Sequence, residues 1–79
     1  MNHEQMFFKL KLRKYMLRVR DNSITRGVLL NAYRAVPIEV IDAVIDDCIR
    51  EGTLTVTTGN KSCQVYTWNE GAPVEVNRG

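Results

Sequence analysis

The sequence predicts one mainly α domain with a small β-hairpin, an α+β class of three helices followed by two strands. Three observations predict it. First, Ile38, Ile41, Val44, Ile45, Cys48 and Ile49 keep helical spacing between Pro37 and Gly52. Second, the β-branched run Thr53-Leu54-Thr55-Val56-Thr57-Thr58 and the run Ser62-Cys63-Gln64-Val65-Tyr66-Thr67-Trp68 flank the turn residues Gly59-Asn60-Lys61. Third, the chain has 79 residues, 44% of them hydrophobic and 25% charged, which is the balance of one small globular domain. A chain of this size buries only about 60% of its unfolded surface.

The first segment, about residues 4–19, carries two competing periods. Phe8, Leu10 and Leu12 alternate with Lys9, Lys11 and Arg13, as in a strand. Phe8, Leu12, Tyr15, Met16 and Val19 fall at helical offsets. Composition decides for the helix, because Met, Phe, Lys, Leu and Arg dominate and β-branched residues are nearly absent. Met6, Leu10 and Leu17 then form a second apolar stripe roughly opposite the first, and a helix apolar on two sides needs two packing partners. Two readings are open for that second stripe. It is a dimer seam, or it packs beneath the hairpin or the C-terminal tail.

Asp21-Asn22-Ser23 break the chain and offer N-caps to a short helix at about 24–34. Ile24, Val28, Leu29 and Ala32 are expected to point inward, and Gly27 weakens this helix. Ala35-Val36 make a tight turn. Pro37 suits the first position of the third helix, Glu39 suits the dipole of its first turn, and Gly52 ends it. Glu70-Gly71-Ala72-Pro73 punctuate the end, so the domain is expected at 4–69 with a flexible tail at 70–79.

The segment Val44-Ile45-Asp46-Asp47-Cys48-Ile49-Arg50-Glu51-Gly52-Thr53-Leu54 has paired apolar residues, a further apolar residue, then Gly and an apolar residue opening a hairpin. Together with the order of elements over about residues 6–68, it resembles the winged-helix (winged helix-turn-helix) family of DNA-binding domains. The resemblance implies that the third helix enters the major groove of duplex DNA. It also implies that the start of the second helix and the wing touch phosphates. Carried onto this chain, those phosphate contacts would be Ser23, Thr25 and Arg26, then Arg34 by the turn, then Asn60, Lys61 and Ser62 at the wing tip. A transcriptional or replication accessory regulator, with a homodimer reading a two-fold site, is the corresponding expectation.

Charge cuts the other way. The net charge is only +2, yet residues 1–20 carry Lys9, Lys11, Arg13, Lys14, Arg18 and Arg20 against Glu4 alone. The third helix carries Glu39, Asp42, Asp46, Asp47 and Glu51 against Arg50. Duplex DNA carries one negative charge per about 1.7 Å of axis, so an acidic reading helix would be repelled. The alternative is a protein–protein interaction module, an adaptor or inhibitor. Its interface would use Met6, Leu10 and Leu17 on the first helix with Glu39, Asp42 and Asp46 on the third. The basic residues of the first helix would otherwise be a solvated face, or would pair with the acidic helix of the same or a neighbouring molecule. Tyr66 and Trp68 are expected to close the core beneath the first helix rather than to stack on a partner.

No enzyme is expected. His3 is the only histidine, and with Cys48 and Cys63 it makes no metal-ligand spacing and no nucleophile–base pair. Asp46 and Asp47 are adjacent and diverge on a helix, so they are no acid–base couple. No Gly-rich phosphate loop is present, and no cofactor is expected. A disulfide between Cys48 and Cys63 is open on sequence. Without a secretion signal, two cysteines read as reduced thiols of a cytoplasmic protein, and there is no membrane-spanning run.

Overall fold

A computed structural model describes residues 2–59, 61 and 63–69, a mixed α+β arrangement of three α-helices and one three-stranded antiparallel sheet. The expected tail at 70–79 lies outside the described residues. Helix α1 spans His3–Arg18. Asn2 caps it, its side-chain oxygen accepting from the Gln5 N–H at 2.8 Å. A 3-10 turn at Arg20–Asn22 follows, with Asp21 and Asn22 at φ 57° and 53°. Asp and Asn tolerate this left-handed region better than most side chains, so the expected chain break is here.

The turn delivers strand β1 at Ser23–Thr25, which the sequence reading did not anticipate. Three residues are too few to show a period, and their partner lies some forty residues away. Ser23, Ile24 and Thr25 face Thr67, Tyr66 and Val65. Ser23 is therefore a sheet residue, its hydroxyl 2.9 Å from that of Thr67, and not a helix cap. Helix α2 is correspondingly shorter than expected, at Arg26–Ala32, with Thr25 as N-cap. Leu29 is buried, as expected, but Val28 is 51% exposed and Ala32 is exposed. Starting the helix at residue 26 turns Leu29 and Leu30, rather than Val28, toward the core.

Helix α3 runs Ile38–Glu51. Pro37 is its N-cap rather than its first residue, so the helix starts one residue later than expected. Gly52 ends it at φ +84°, its N–H bonding the carbonyls of Cys48 and Ile49, while the Thr53 N–H also reaches Cys48. That closure needs a left-handed residue, which glycine supplies at no steric cost. Val40, Ile41, Val44, Ile45 and Cys48 are buried. Ile38 and Ile49, expected in the core, are 49% and 37% exposed. They lie at the two ends of the helix, on the flank of its apolar stripe.

Strands β2 (Leu54–Thr58) and β3 (Gln64–Trp68) form the expected hairpin, each slightly shorter than the runs read from sequence. The sheet order is β1-β3-β2, so β3 is central. Asn69 closes the hairpin root, donating to Thr55 Oγ1 at 2.6 Å and to the Gly52 carbonyl at 3.2 Å.

One core joins these elements. Phe8, Leu12 and Met16 of α1 meet the apolar stripe of α3, with Ile24, Leu29, Leu54, Tyr66 and Trp68 completing it. Tyr66 and Trp68 are core residues, as expected. Both cysteines are free thiols, and burial pushes Cys48 up to about 11, so it stays protonated at neutral pH. Leu12 is 1% exposed. Leu12→Ala should lower unfolding free energy by about 2–5 kcal/mol. In a domain whose core supplies about 3–5 kcal/mol this leaves a largely unfolded chain, visible as loss of the cooperative urea transition.

Candidate interaction surface

The acidic helix and the basic helix are partly paired within the molecule. Lys9 of α1 donates to Glu51 at 2.7 Å and to Asp47 at 3.3 Å, clasping the C-terminal half of α3. Arg50 adds a pair to Asp47 at 3.2 Å, one turn along α3. The Lys9 hydrogen bond is the main reason that Asp47 is held below its ordinary carboxylate value, and the bond to Glu51 raises Lys9 above its own.

Arg26 forms a second clasp. Its guanidinium bonds Asp42 Oδ1 at 2.9 Å and donates to the Tyr66 hydroxyl at 2.9 Å. Tyr66 in turn reaches Gln64 Oε1 at 3.4 Å. The Tyr66 ring is buried, so its hydroxyl needs a partner at the core boundary, and Arg26 is that partner. The clasp ties the start of α2 to α3 and to the central strand. The Tyr66 bond first, and Asp42 second, raise the Arg26 pKa further.

The residues expected to hold phosphates are accordingly dispersed. Ser23 is in β1, bonded to Thr67 and to the Asp21 carbonyl. Thr25 accepts from the Val28 N–H as the cap of α2. Arg26 is engaged by Asp42 and Tyr66. Arg34, in the turn before α3, and Lys61, at φ 58° in the hairpin loop, are exposed. Asn60 and Ser62 lie outside the described residues.

The residues expected at a protein interface are mostly on the surface. Met6, Leu10 and Leu17 are 52%, 61% and 42% exposed, and the described residues of the hairpin leave them uncovered. Phe7, outside the stripe read from the sequence, is 63% exposed beside them, with the Lys11 ammonium 4.7 Å from its ring centre. One position on from Met6 and three before Leu10, it widens the apolar stripe to a face. His3, Glu4, Met6, Phe7 and Leu10 line a shallow hollow at its N-terminal end. On α3, Glu39 and Asp46 are exposed and make no ion pair among the described residues, whereas Asp42 holds Arg26. Sequence reasoning also missed Tyr33, which packs edge-on against Phe8 and Tyr15 at 5.1 and 5.6 Å between ring centres.

Among the described residues, no group of three or more His, Cys, Asp or Glu is placed to hold a metal ion, and no helix is long and apolar enough to cross a membrane. Comparison with family models, with curated proteins and with solved structures returned no match.

Two measurements check these assignments. Arg26→Ala should cost about 1 kcal/mol of stability, since Asp42 and the Tyr66 hydroxyl both lose a charged partner at a half-exposed site. Arg34→Ala should stay within about 0.5 kcal/mol of wild type in the same urea titration. The Lys9–Asp47 contribution is present above the ordinary aspartate value of 3.8 and is lost as pH falls through it to the lowered native value. Urea midpoints of wild type and Lys9→Met should therefore converge on acidification, and a constant gap would contradict the clasp.

Proposed function

We propose that this chain is a winged-helix binding module that takes a protein partner on the outer face of α3. The element order helix–strand–helix–helix–strand–strand, with the last strand central in the sheet, supports the winged-helix assignment. The position that would read DNA in such a domain is α3. Its outer face presents Glu39 and Asp46, with Ile38 and Ile49 exposed beside them. That combination of carboxylates and protruding apolar side chains is the chemistry of a surface for a basic, amphipathic protein segment. It is repelled by a phosphate-lined groove.

The observation that carries the choice of partner is the Arg26 clasp. It removes the cation best placed to offset the acidity of α3, because that cation already neutralises Asp42. Five residues were expected to contact phosphate within the described part of the chain, and of these only Arg34 and Lys61 remain exposed cations. Duplex DNA is the second reading, favoured by those two residues and by the exposed Arg18 and Arg20.

Isotope-labelled protein titrated with random duplex at two salt concentrations, and separately with a Lys/Arg-rich amphipathic peptide, distinguishes the two. The peptide should shift the amides of α3, and Glu39→Lys with Asp46→Lys should abolish those shifts while leaving the fold intact. Shifts at residues 23–26 and at Gly59 and Lys61, lost steeply with salt, would instead establish duplex binding.

A further inference from the structure

The chain displays a complement to the outer face of α3 on its own first helix. On α1, Met6 and Leu17 stand eleven residues apart with Leu10 between them. On α3, Ile38 and Ile49 are also eleven residues apart. Eleven residues span about 16.5 Å, three turns, so the two exposed isoleucines of α3 stand as far apart as the ends of the α1 row, while between them Ile45 is buried and Asp42 holds Arg26. The helices match as well, at 16 and 14 residues.

The charged rows match in sign and in placement. Arg18 follows Leu17 as Glu39 follows Ile38, about 100° further round the helix. Lys14 precedes Leu17 by three residues as Asp46 precedes Ile49, about 60° further round in the same sense. On both helices the charges therefore flank the apolar row on the same rotational side. Antiparallel helix pairs bring like flanks together, and parallel pairs bring unlike flanks together. Only the antiparallel pairing sets cations beside anions. With Leu17 over Ile38 and Met6 over Ile49, Arg18 comes beside Glu39, Lys11 beside Asp46 and Lys14 near Asp42.

We infer that the partner taken by the outer face of α3 is the α1 face of a second copy of this chain, packed antiparallel. This rests on the proposal that the α3 face is a protein-docking surface. A symmetric pairing of α1 with α1 would oppose Lys14 and Arg18 with the same residues of the other copy, whereas pairing α1 with α3 opposes cation to anion. The two faces are different surfaces carried by different helices, so the contact is heterologous, and where it does not close on itself it adds copies in a row. One helix on one helix buries less than the about 1,200 Å² of a standard complex, so the association is weak and concentration-dependent.

Two charge reversals test it, each inverting the sign of one face: Lys14→Glu with Arg18→Glu, and Glu39→Lys with Asp46→Lys. All four side chains are exposed, and circular dichroism checks that both variants fold. In sedimentation velocity from about 10 μM to about 1 mM, wild type should grow in mean mass with concentration, less so at high salt. Each variant alone should stay monomeric. Their equimolar mixture should associate again and grow in mean mass as wild type does, since the acidic α3 of one variant meets the basic α1 of the other and the two reversed faces are complementary in turn. If the acidic-face variant alone still dimerises, the contact is α1 on α1 and the inference fails. A wild type monomeric throughout, or a mixture that stays monomeric, also overturns it. The docking proposal itself is judged separately: basic-peptide shifts on α3 in a monomeric wild type would leave that proposal standing and reject only the second copy as partner.

Discussion

The packing of the apolar stripe of α3 against Phe8, Leu12 and Met16 of α1 is the contact on which the other elements depend. A three-stranded sheet with one exposed face and helices this short has little stability of its own. Tyr66 and Trp68 carry the central strand into the same core from beside α1, and β2 meets α3, so both the helices and the sheet are stabilised by one shared burial. Gly52 matters because it turns the chain at the end of that stripe and allows Leu54 to enter the core at the root of the hairpin.

Electrostatics follows from this packing rather than guiding it. Once α1 lies along α3, Lys9 falls opposite Asp47 and Glu51. Once β3 lies between β1 and β2 and against α1 and α2, the Tyr66 hydroxyl emerges where Arg26 can bridge it to Asp42. Each pair is partly exposed and individually weak. Their larger effect is on what remains available at the surface. Asp47, Glu51 and Asp42 are answered from within, and Glu39 and Asp46 keep the outward acidity of the helix. The molecule is thus polarised, with a cationic apolar face on α1 and an anionic one on α3.

The helices and the hairpin were legible because each repeats a local rule over many residues. The helical spacing from Ile38 to Ile49, the glycine stop at Gly52 and the β-branched run from Thr53 to Thr58 are all short-range signals. Strand β1 was not legible, since Ser23-Ile24-Thr25 becomes a strand only by pairing with Val65–Thr67. The exposure of Val28, Ile38 and Ile49 was missed for a related reason. Helical spacing identifies an apolar stripe, but its width in the core depends on how the neighbouring elements cover it.

For the candidate surface the division is similar. Sequence alone established that the cations gather in the first twenty residues and the carboxylates on α3, and that α1 is apolar on two sides, because composition and helical period are properties of the chain. Only tertiary structure decided which charges are neutralised. Ion pairing is a matter of a few ångströms between side chains about forty residues apart, and no local pattern records it. Arg26 is the clearest case: it looks like a phosphate ligand when read along the chain, and in the folded molecule it holds Asp42 and Tyr66 together.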